Sequence, residues 1–165
     1  MPRPAYIMFS RSGSVDQFKN RLSCFEAVET VDVFKNTPEE IQQTLSGKSR
    51  RARDKFWLVS TWMKDEGDTA EAVFEFQLTC IGPDGNNFIE GEVVKFSFPP
   101  DISFHRITVP ELEIPGYPVV GLYTFHAKLR RDGEQEWIAE QQYPFIVRQL
   151  EAPPPPLIVS TSPLA

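Results

Sequence analysis

The clearest alternation of apolar and polar positions lies near the C-terminal end, in residues 121–131. Its odd-numbered positions are mostly apolar and its even-numbered positions mostly polar, a period of two that is typical of a half-buried strand. Asp132-Gly133 follows, and both residues tolerate the positive φ angles of a tight hairpin turn. The pattern predicts an antiparallel hairpin with Phe125 in the core and His126 pointing away from it. The apolar positions of the two strands are Gly121, Tyr123, Phe125, Ala127 and Leu129, then Trp137, Ala139, Tyr143, Phe145 and Val147.

Further segments that are rich in β-branched and aromatic residues predict the other strands. Residues 11–21 are polar and are predicted to be a connection. Residues 22–34 carry apolar side chains in both alternating sets, which indicates a bulge or burial on both faces. Residues 71–81 alternate cleanly, with Phe74, Phe76, Leu78 and Cys80 facing inward. The predicted strands are 6–9, 22–34, 56–64, 71–81, 88–98 and 102–109.

One segment, residues 37–47, has the pattern of a helix. Thr37 is suited to cap its N-terminus, and Pro38 to occupy the first helical position. Ile41 and Leu45 lie one turn apart on one face. Two apolar anchors predict a short surface helix that lies against the sheets.

These elements predict an all-β fold, a two-sheet antiparallel β-sandwich of seven or eight strands with one short surface helix. A partly closed barrel is the alternative. The length of 165 residues favours one domain, residues 1–150, followed by a tail, residues 151–165. Four consecutive prolines, residues 153–156, predict that the tail is extended.

Three segments resemble uncharacterised bacterial proteins that have a sandwich-like domain. They are LSCFEAVETVDVF at 22–34, FEFQLTCIGPDG at 74–85, and the hairpin GLYTFHAKLRRDG with YPFIV at 121–147. The hairpin is also similar to the closing strands of immunoglobulin-like modules. The resemblance implies an immunoglobulin-like β-sandwich over residues 1–150, and it supplies no catalytic residues. Leu78 stands two positions before Cys80, where true immunoglobulin domains have tyrosine.

Charge and the cysteines limit the classes of partner and the compartment. The formal net charge is -6 and the pI is near 5.0, which argues against a nucleic-acid partner and an anionic membrane surface. No apolar run approaches the length of a transmembrane helix, and the N-terminus lacks the apolar region of a signal peptide. These features predict a cytoplasmic protein. Cys24 and Cys80 are then expected to be reduced and largely buried.

Local motifs for catalysis or metal binding are missing from the sequence. His105 and His126 have no second ligand at a metal spacing. No G-x-S-x-G elbow or phosphate-binding glycine loop occurs. The turn sequence GPDGNN at 82–87 precedes a strand, whereas phosphate loops precede a helix. We therefore predict no catalytic residue, no metal site and no cofactor.

A basic run at residues 48–55 and two tryptophans, Trp57 and Trp62, are the remaining candidates for a partner contact. A solvated loop is the favoured interpretation of the run, because Asp54 interrupts it and the chain is acidic. The alternative is contact with an anion or a protein. The tryptophans fall on opposite faces of the next predicted strand, so one of them could mark an interface. The candidate contact residues are Lys48, Arg50, Arg51, Arg53, Lys55, Trp57 and Trp62.

The leading functional hypothesis is a non-enzymatic protein-binding or assembly module that acts through a sheet face or edge. Its partner would be another protein or a second copy of the chain. The alternative is a small-molecule or carbohydrate binding domain with a cleft at the loop end, and this could be an enzyme. A flat apolar patch would favour the first hypothesis, and a deep pocket that joins a histidine to carboxylates would favour the second.

Overall fold

The computed structural model describes residues 1–16, 21–34, 55–69, 71–113 and 119–150. Within these ranges the chain forms ten β-strands and no helix. The helix predicted over 37–47 and the tail over 151–165 lie outside the described residues. So does the basic run, except for Lys55 at its end.

The strands are arranged in two sheets, which confirms the all-β and two-sheet predictions. The four-stranded sheet has the order β2-β1-β4-β8. The six-stranded sheet has the order β3-β10-β9-β5-β6, and β7 also pairs with β5. The strands are β1 (Arg3–Asp16), β2 (Arg21–Ala27), β3 (Thr30–Phe34), β4 (Lys55–Met63), β5 (Val73–Ile81), β6 (Asn87–Glu90), β7 (Val94–Ser97), β8 (Phe104–Glu113), β9 (Gly121–Arg131) and β10 (Ala139–Leu150).

One strand pair, β3 with β10, is parallel, so the prediction of a purely antiparallel sandwich is wrong here. The chain crosses from one sheet to the other between β2 and β3. The N–H of Val28 donates to the carbonyl of Phe9 (2.8 Å), and the N–H of Ile146 donates to the carbonyl of Glu29 (2.9 Å). These two bonds lie where the chain passes into the six-stranded sheet, in which β3 runs beside β10 and parallel to it.

The C-terminal hairpin packs as its alternation predicts. The odd-numbered residues of β9 from Tyr123 to Leu129 are buried, and Phe125 has no exposed surface. Phe125 pairs with Tyr143 across the hairpin. Its ring centroid lies 4.9 Å from that of Phe9 on the other sheet, so Phe125 joins the two layers of the core.

Several strand boundaries differ from their predictions, and β8 continues past its predicted end at 109 to Glu113. Residues 11–21 are predicted to be a connection, but residues 11–16 form the second half of β1. These polar residues pair with β2 through backbone hydrogen bonds, which need no apolar pattern. Residues 22–34 form two strands in different sheets, which accounts for apolar positions in both alternating sets. Residues 88–98 are interrupted between β6 and β7, where the N–H of Gly91 donates to the carbonyl of Leu78 (2.8 Å).

Gln141 is a buried polar residue on the inner face of β10, between Ala139 and Tyr143. Ser60 Oγ donates to Gln141 Oε1 (2.7 Å), and Gln141 Nε2 donates to the carbonyl of Thr61 (2.7 Å). Both partners belong to β4, in the opposite sheet. The amide therefore fixes the position of one sheet relative to the other, since any slip would leave buried polar groups without partners.

A search of the described residues for a helix of sufficient length and hydropathy to cross a membrane finds no candidate.

Candidate functional site on the outer face of the six-stranded sheet

Large apolar side chains are exposed on the outer face of the six-stranded sheet. Side-chain alternation directs the even-numbered residues of β9 and β10 away from the core. Leu122 and Ile146 are direct cross-strand partners, and their exposed fractions are 55% and 47%. Pro144 is exposed on the same face, opposite Thr124. We call Leu122, Pro144 and Ile146 the outer apolar patch.

The position of Pro144 inside a sheet has a simple physical reason. Proline has no N–H, so it weakens a strand that is paired on both sides. Pairing of β10 with β3 begins only at Ile146, which donates its N–H toward that side. Pro144 has the same orientation as Ile146, two residues away, so its nitrogen faces a side where β3 makes no ladder. The proline costs no sheet hydrogen bond there, and the patch keeps a rigid apolar residue.

Charged residues lie beyond both ends of the outer apolar patch. Arg148 donates from Nε to Asp32 Oδ1 (3.0 Å) beyond one end of the patch. Toward the other end, Lys128 and Glu140 are direct cross-strand partners. Arg148 and Asp32 form an ion pair, whereas the carboxylate of Glu140 contacts His126.

His126 and Glu140 form the one histidine–carboxylate contact on this face, between His126 Nδ1 and Glu140 Oε1. Thr79 is the direct cross-strand neighbour of His126, so a hydroxyl, an imidazole and a carboxylate lie close together. A nucleophilic group must hydrogen-bond to its base and reach a substrate. Thr79 Oγ1 is buried without a hydrogen-bond partner, and Thr79 is only 4% exposed. The three residues therefore lack the geometry of a nucleophilic triad.

The far end of the same face carries a network of charges that satisfy each other. Arg130 Nε donates to Glu75 Oε2 (2.6 Å), and Lys95 Nζ lies 3.6 Å from Glu75 Oε1. The Arg130 guanidinium lies over the ring of Trp137, 4.5 Å from its centroid. Contacts of this kind hold Glu75 in place although it is almost buried. This network stabilises the hairpin and leaves little unpaired charge for a ligand.

Two surface depressions lie at opposite ends of β5 and β9. One, of about 140 Å³, is bounded by the 82–87 turn and by Phe88 and Tyr123. The other, of about 450 Å³, is bounded by Glu71, Arg131 and Asp132, among others. Two of its charges are engaged, because Arg131 lies 4.0 Å from Asp68 and Asp132 accepts from Lys95 (2.7 Å). Neither depression is lined by a histidine.

His105 lies on a different part of the molecule. Its ring stacks on Phe96, with 4.2 Å between the centroids. Burial lowers the pKa of His105, so the ring is neutral at pH 7. Within the described ranges, no three histidine, cysteine or carboxylate side chains are grouped as metal ligands would be.

Of the residues predicted as partner contacts, the structure describes Lys55, Trp57 and Trp62. Lys55 donates to Glu111 (2.8 Å), and Trp57 is half-buried on β4. Trp62 has no exposed surface and belongs to the core, so its prediction as a partner contact is wrong. A large side chain on a central strand is buried whenever it faces the opposite sheet. The remaining members, Lys48, Arg50, Arg51 and Arg53, lie outside the described residues.

The hydrophobic pattern of the sequence did not predict the outer apolar patch. Leu122 and Ile146 occupy positions that alternation assigns to the polar face, and there they break the pattern. That break is the only local signal. Their pairing depends on the register of the hairpin, which the sequence pattern does not specify.

The two cysteines differ in accessibility, and neither forms a disulfide. Cys80 is buried as predicted, but Cys24 is only half-buried, because its strand β2 lies at the edge of the four-stranded sheet. Burial raises the pKa of Cys80 to about 12. At pH 8 the Cys80 thiol is therefore almost entirely protonated, whereas the thiolate is the reactive form.

We therefore expect a thiol reagent to label one cysteine of the native protein, Cys24, within minutes at pH 8. Cys80 should react only after unfolding, and peptide mass mapping would identify the labelled site. The protein in denaturant is the control and should show two labelled thiols. Rapid labelling of Cys80 without denaturant would contradict its placement in the core.

Comparison with known proteins gives no family for this chain. No protein-family model matches it, and no curated protein is significantly similar to it. The resemblance to bacterial sandwich proteins therefore stays a prediction, and function has to be argued from the geometry.

Proposed function

We propose that this protein is a non-enzymatic binding module that docks a protein partner on the outer apolar patch. The observation that supports this most strongly is the direct pairing of Leu122 and Ile146, with exposed fractions of 55% and 47%. Single exposed apolar residues are common on protein surfaces. Adjacent large ones with a polar rim are typical of an interaction surface.

Docking through the sheet face is favoured over docking through a sheet edge at this position. Strand β9 lies between β10 and β5, and the backbone of β9 is hydrogen-bonded on both sides. Strand β10 is also paired on both sides at Ile146 and Val147, so at Leu122 and Ile146 the site offers a partner side chains rather than free backbone groups. Side chains held on paired strands also lose little conformational entropy on binding, which favours affinity.

The flatness of the site is the argument for binding rather than catalysis. His126 and Glu140 lie together on the sheet face, whereas the two depressions lie at the ends of the strands. Catalytic groups need a site that surrounds the substrate and excludes water. An acid–base pair on an open sheet face has neither property.

The alternative function, a small-molecule or carbohydrate site at the loop end, has less support. The depression beside Tyr123 measures about 140 Å³, whereas ligand pockets usually occupy about 300–1,000 Å³. The larger depression, about 450 Å³, falls within that range. However, two of its charged side chains are engaged in ion pairs, so fewer groups are left to hold a ligand.

An immunoglobulin-like fold is part of the proposal. Its support is the strand order: β1, β4 and β8 are neighbours in one sheet, and β10, β9 and β5 in the other. If β1, β4 and β8 correspond to immunoglobulin strands A, B and E, and β10, β9 and β5 to strands G, F and C, each strand has the same neighbours as in that fold. Strands β2, β3, β6 and β7 are then additions. A cytoplasmic location is also proposed, and the two unpaired cysteines are its support.

A photo-cross-linking experiment tests the proposed function. A benzophenone amino acid in place of Leu122 should form covalent adducts on irradiation in cells. The same group in place of Phe104 is the matched control, because Phe104 is also 55% exposed but lies on the other sheet. Adding Ile146→Asp to the Leu122 variant should abolish the adducts. Absence of adducts at position 122, or equal yields at both positions, would contradict the proposal.

A further inference from the structure

We propose that strand β7 detaches from the six-stranded sheet in mild acid, and that His105 controls this opening. The proposal is independent of the outer apolar patch, which lies on β9 and β10. Strand β7 has four residues, and within the described ranges β5 is the one strand that pairs with it. A short segment at the edge of a sheet opens at a lower free energy than the core strands.

Aromatic rings attach the inner side of β7 to the rest of the molecule. Phe96 is the direct cross-strand partner of Phe74, with 5.9 Å between their ring centroids. Phe98 follows β7, and its ring centroid lies 5.6 Å from that of Phe96. His105, on β8 of the four-stranded sheet, stacks on Phe96 at 4.2 Å and meets the edge of Phe98 at 5.9 Å. The His105 ring therefore joins β7 to the opposite sheet.

The charged residues of the elements around His105 offer its ring no close counter-charge. Alternation directs Glu75 on β5 and Lys95 on β7 to the outer face of their sheet, where they lie 3.6 Å apart. It directs Arg106 on β8 outward in the same way. Lys64 comes directly after β4 and is itself positive, and Asp101 is exposed in the connection before β8. Burial alone accounts for the lowered pKa of His105.

Protonation of His105 therefore favours the open state. Burial lowers the pKa of His105 below its ordinary value of 6.5 while β7 is closed, and contact with solvent restores that value once β7 opens. The open state then binds the proton more readily. The closed state keeps its full stability above about pH 6.5 and loses stability as the pH falls below it, by at most about tenfold in the opening equilibrium for each pH unit.

The ion pair on the outer side of β7 does not titrate over the same range. Lys95 Nζ donates to Asp132 Oδ1 (2.7 Å). This contact lowers the pKa of Asp132 and raises the pKa of Lys95, so both groups stay charged between pH 5.5 and 7.5. An acid response of β7 in this range is therefore assigned to its inner side, where His105 lies.

Opening of β7 gives the protein a surface that the closed state lacks. Phe74 has no exposed surface in the closed state, and the edge of β5 at residues 73–76 is paired with β7. Once β7 leaves, this backbone edge and the apolar side chains beside it become accessible. A free strand edge of this kind can pair with an extended segment of another protein.

Hydrogen–deuterium exchange of the purified full-length chain at pH 7.5 and pH 5.5 tests the proposal, with exchange times corrected for the intrinsic effect of pH on amides. Amides of β7 and of its partner residues 73–76 should exchange roughly two- to tenfold faster at pH 5.5. Amides of the β9–β10 hairpin should keep their protection, because the opening is local.

Two variants assign the response to His105. His105→Phe keeps an aromatic ring at this position but takes up no proton, so its exchange at β7 should be the same at both pH values. His126→Ala is the matched control, since it removes the other histidine of the chain and should keep the full acid response. His105→Gln, which is also uncharged over this range, decides the outcome if His105→Phe does not fold.

Four results would overturn the proposal. Exchange at β7 that is slower at pH 5.5 would show that protonated His105 is stabilised on the face of Phe96 by a cation–π contact. Exchange that does not depend on pH would show that protonation does not open β7. An acid response that persists in His105→Phe would assign it to another group, and one that extends equally over both sheets would show global unfolding.

Discussion

Replacement of Phe125 by alanine is expected to lower the free energy of unfolding by about 3–5 kcal/mol. Phe125 has no exposed surface. Its ring centroid lies 4.9 Å from that of Phe9 and 5.2 Å from that of Phe145. The substitution removes one of the ring contacts between the two sheets and leaves a cavity at their junction. Domains of this size are stable by only about 5–15 kcal/mol, so we expect Phe125→Ala to be largely unfolded in moderate denaturant.

His126→Ala is the matched control from the next position of the same strand. Its side chain lies on the outer face and contacts Glu140, so its loss should cost about 0.5–1.5 kcal/mol, the value of one hydrogen bond. Denaturant melts of the two variants would measure the difference. A larger loss for His126→Ala than for Phe125→Ala would show that His126 has a role that the non-enzymatic proposal does not include.

Gln141→Ala is expected to have the second largest effect, about 2–4 kcal/mol, because it removes two buried hydrogen bonds between the sheets. Ser60 Oγ would lose its acceptor, and the carbonyl of Thr61 would lose its donor, both at 2.7 Å. Gln142→Ala is the control, since Gln142 is exposed on the opposite face and should change stability by less than about 0.5 kcal/mol. Thermal or denaturant melts of both variants would measure the two effects.

A double-mutant cycle would assign the effect to the bridge between the sheets. Ser60→Ala in the Gln141→Ala background should cost less than Ser60→Ala alone, because the serine has by then lost its acceptor. Additive losses, or a Gln141→Ala variant as stable as Gln142→Ala, would show that the buried amide does not hold the sheets together.

Side-chain alternation by itself determined which residues of two strands face the core. In 121–131 and 71–81 the period of two identified the inward residues, including Phe125 and Cys80, because a strand at the core has only one way to bury its apolar set. It failed in residues 11–16 and 22–34. Residues 11–16 are held by backbone pairing, which requires no apolar side chains. Residues 22–34 divide between two sheets, so their apolar positions do not follow one period.

Only the tertiary structure decided which surface residues belong together. Leu122 and Ile146 are far apart in the chain, and the hairpin register makes them neighbours. The same register pairs His126 with Glu140 on an open face, whereas the packing of the sheets buries Trp62 and Gln141. Alternation tells which face of a strand a residue occupies. Pairing and packing depend on contacts between distant segments, so local patterns determined the core of this protein, and long-range contacts determined its candidate site.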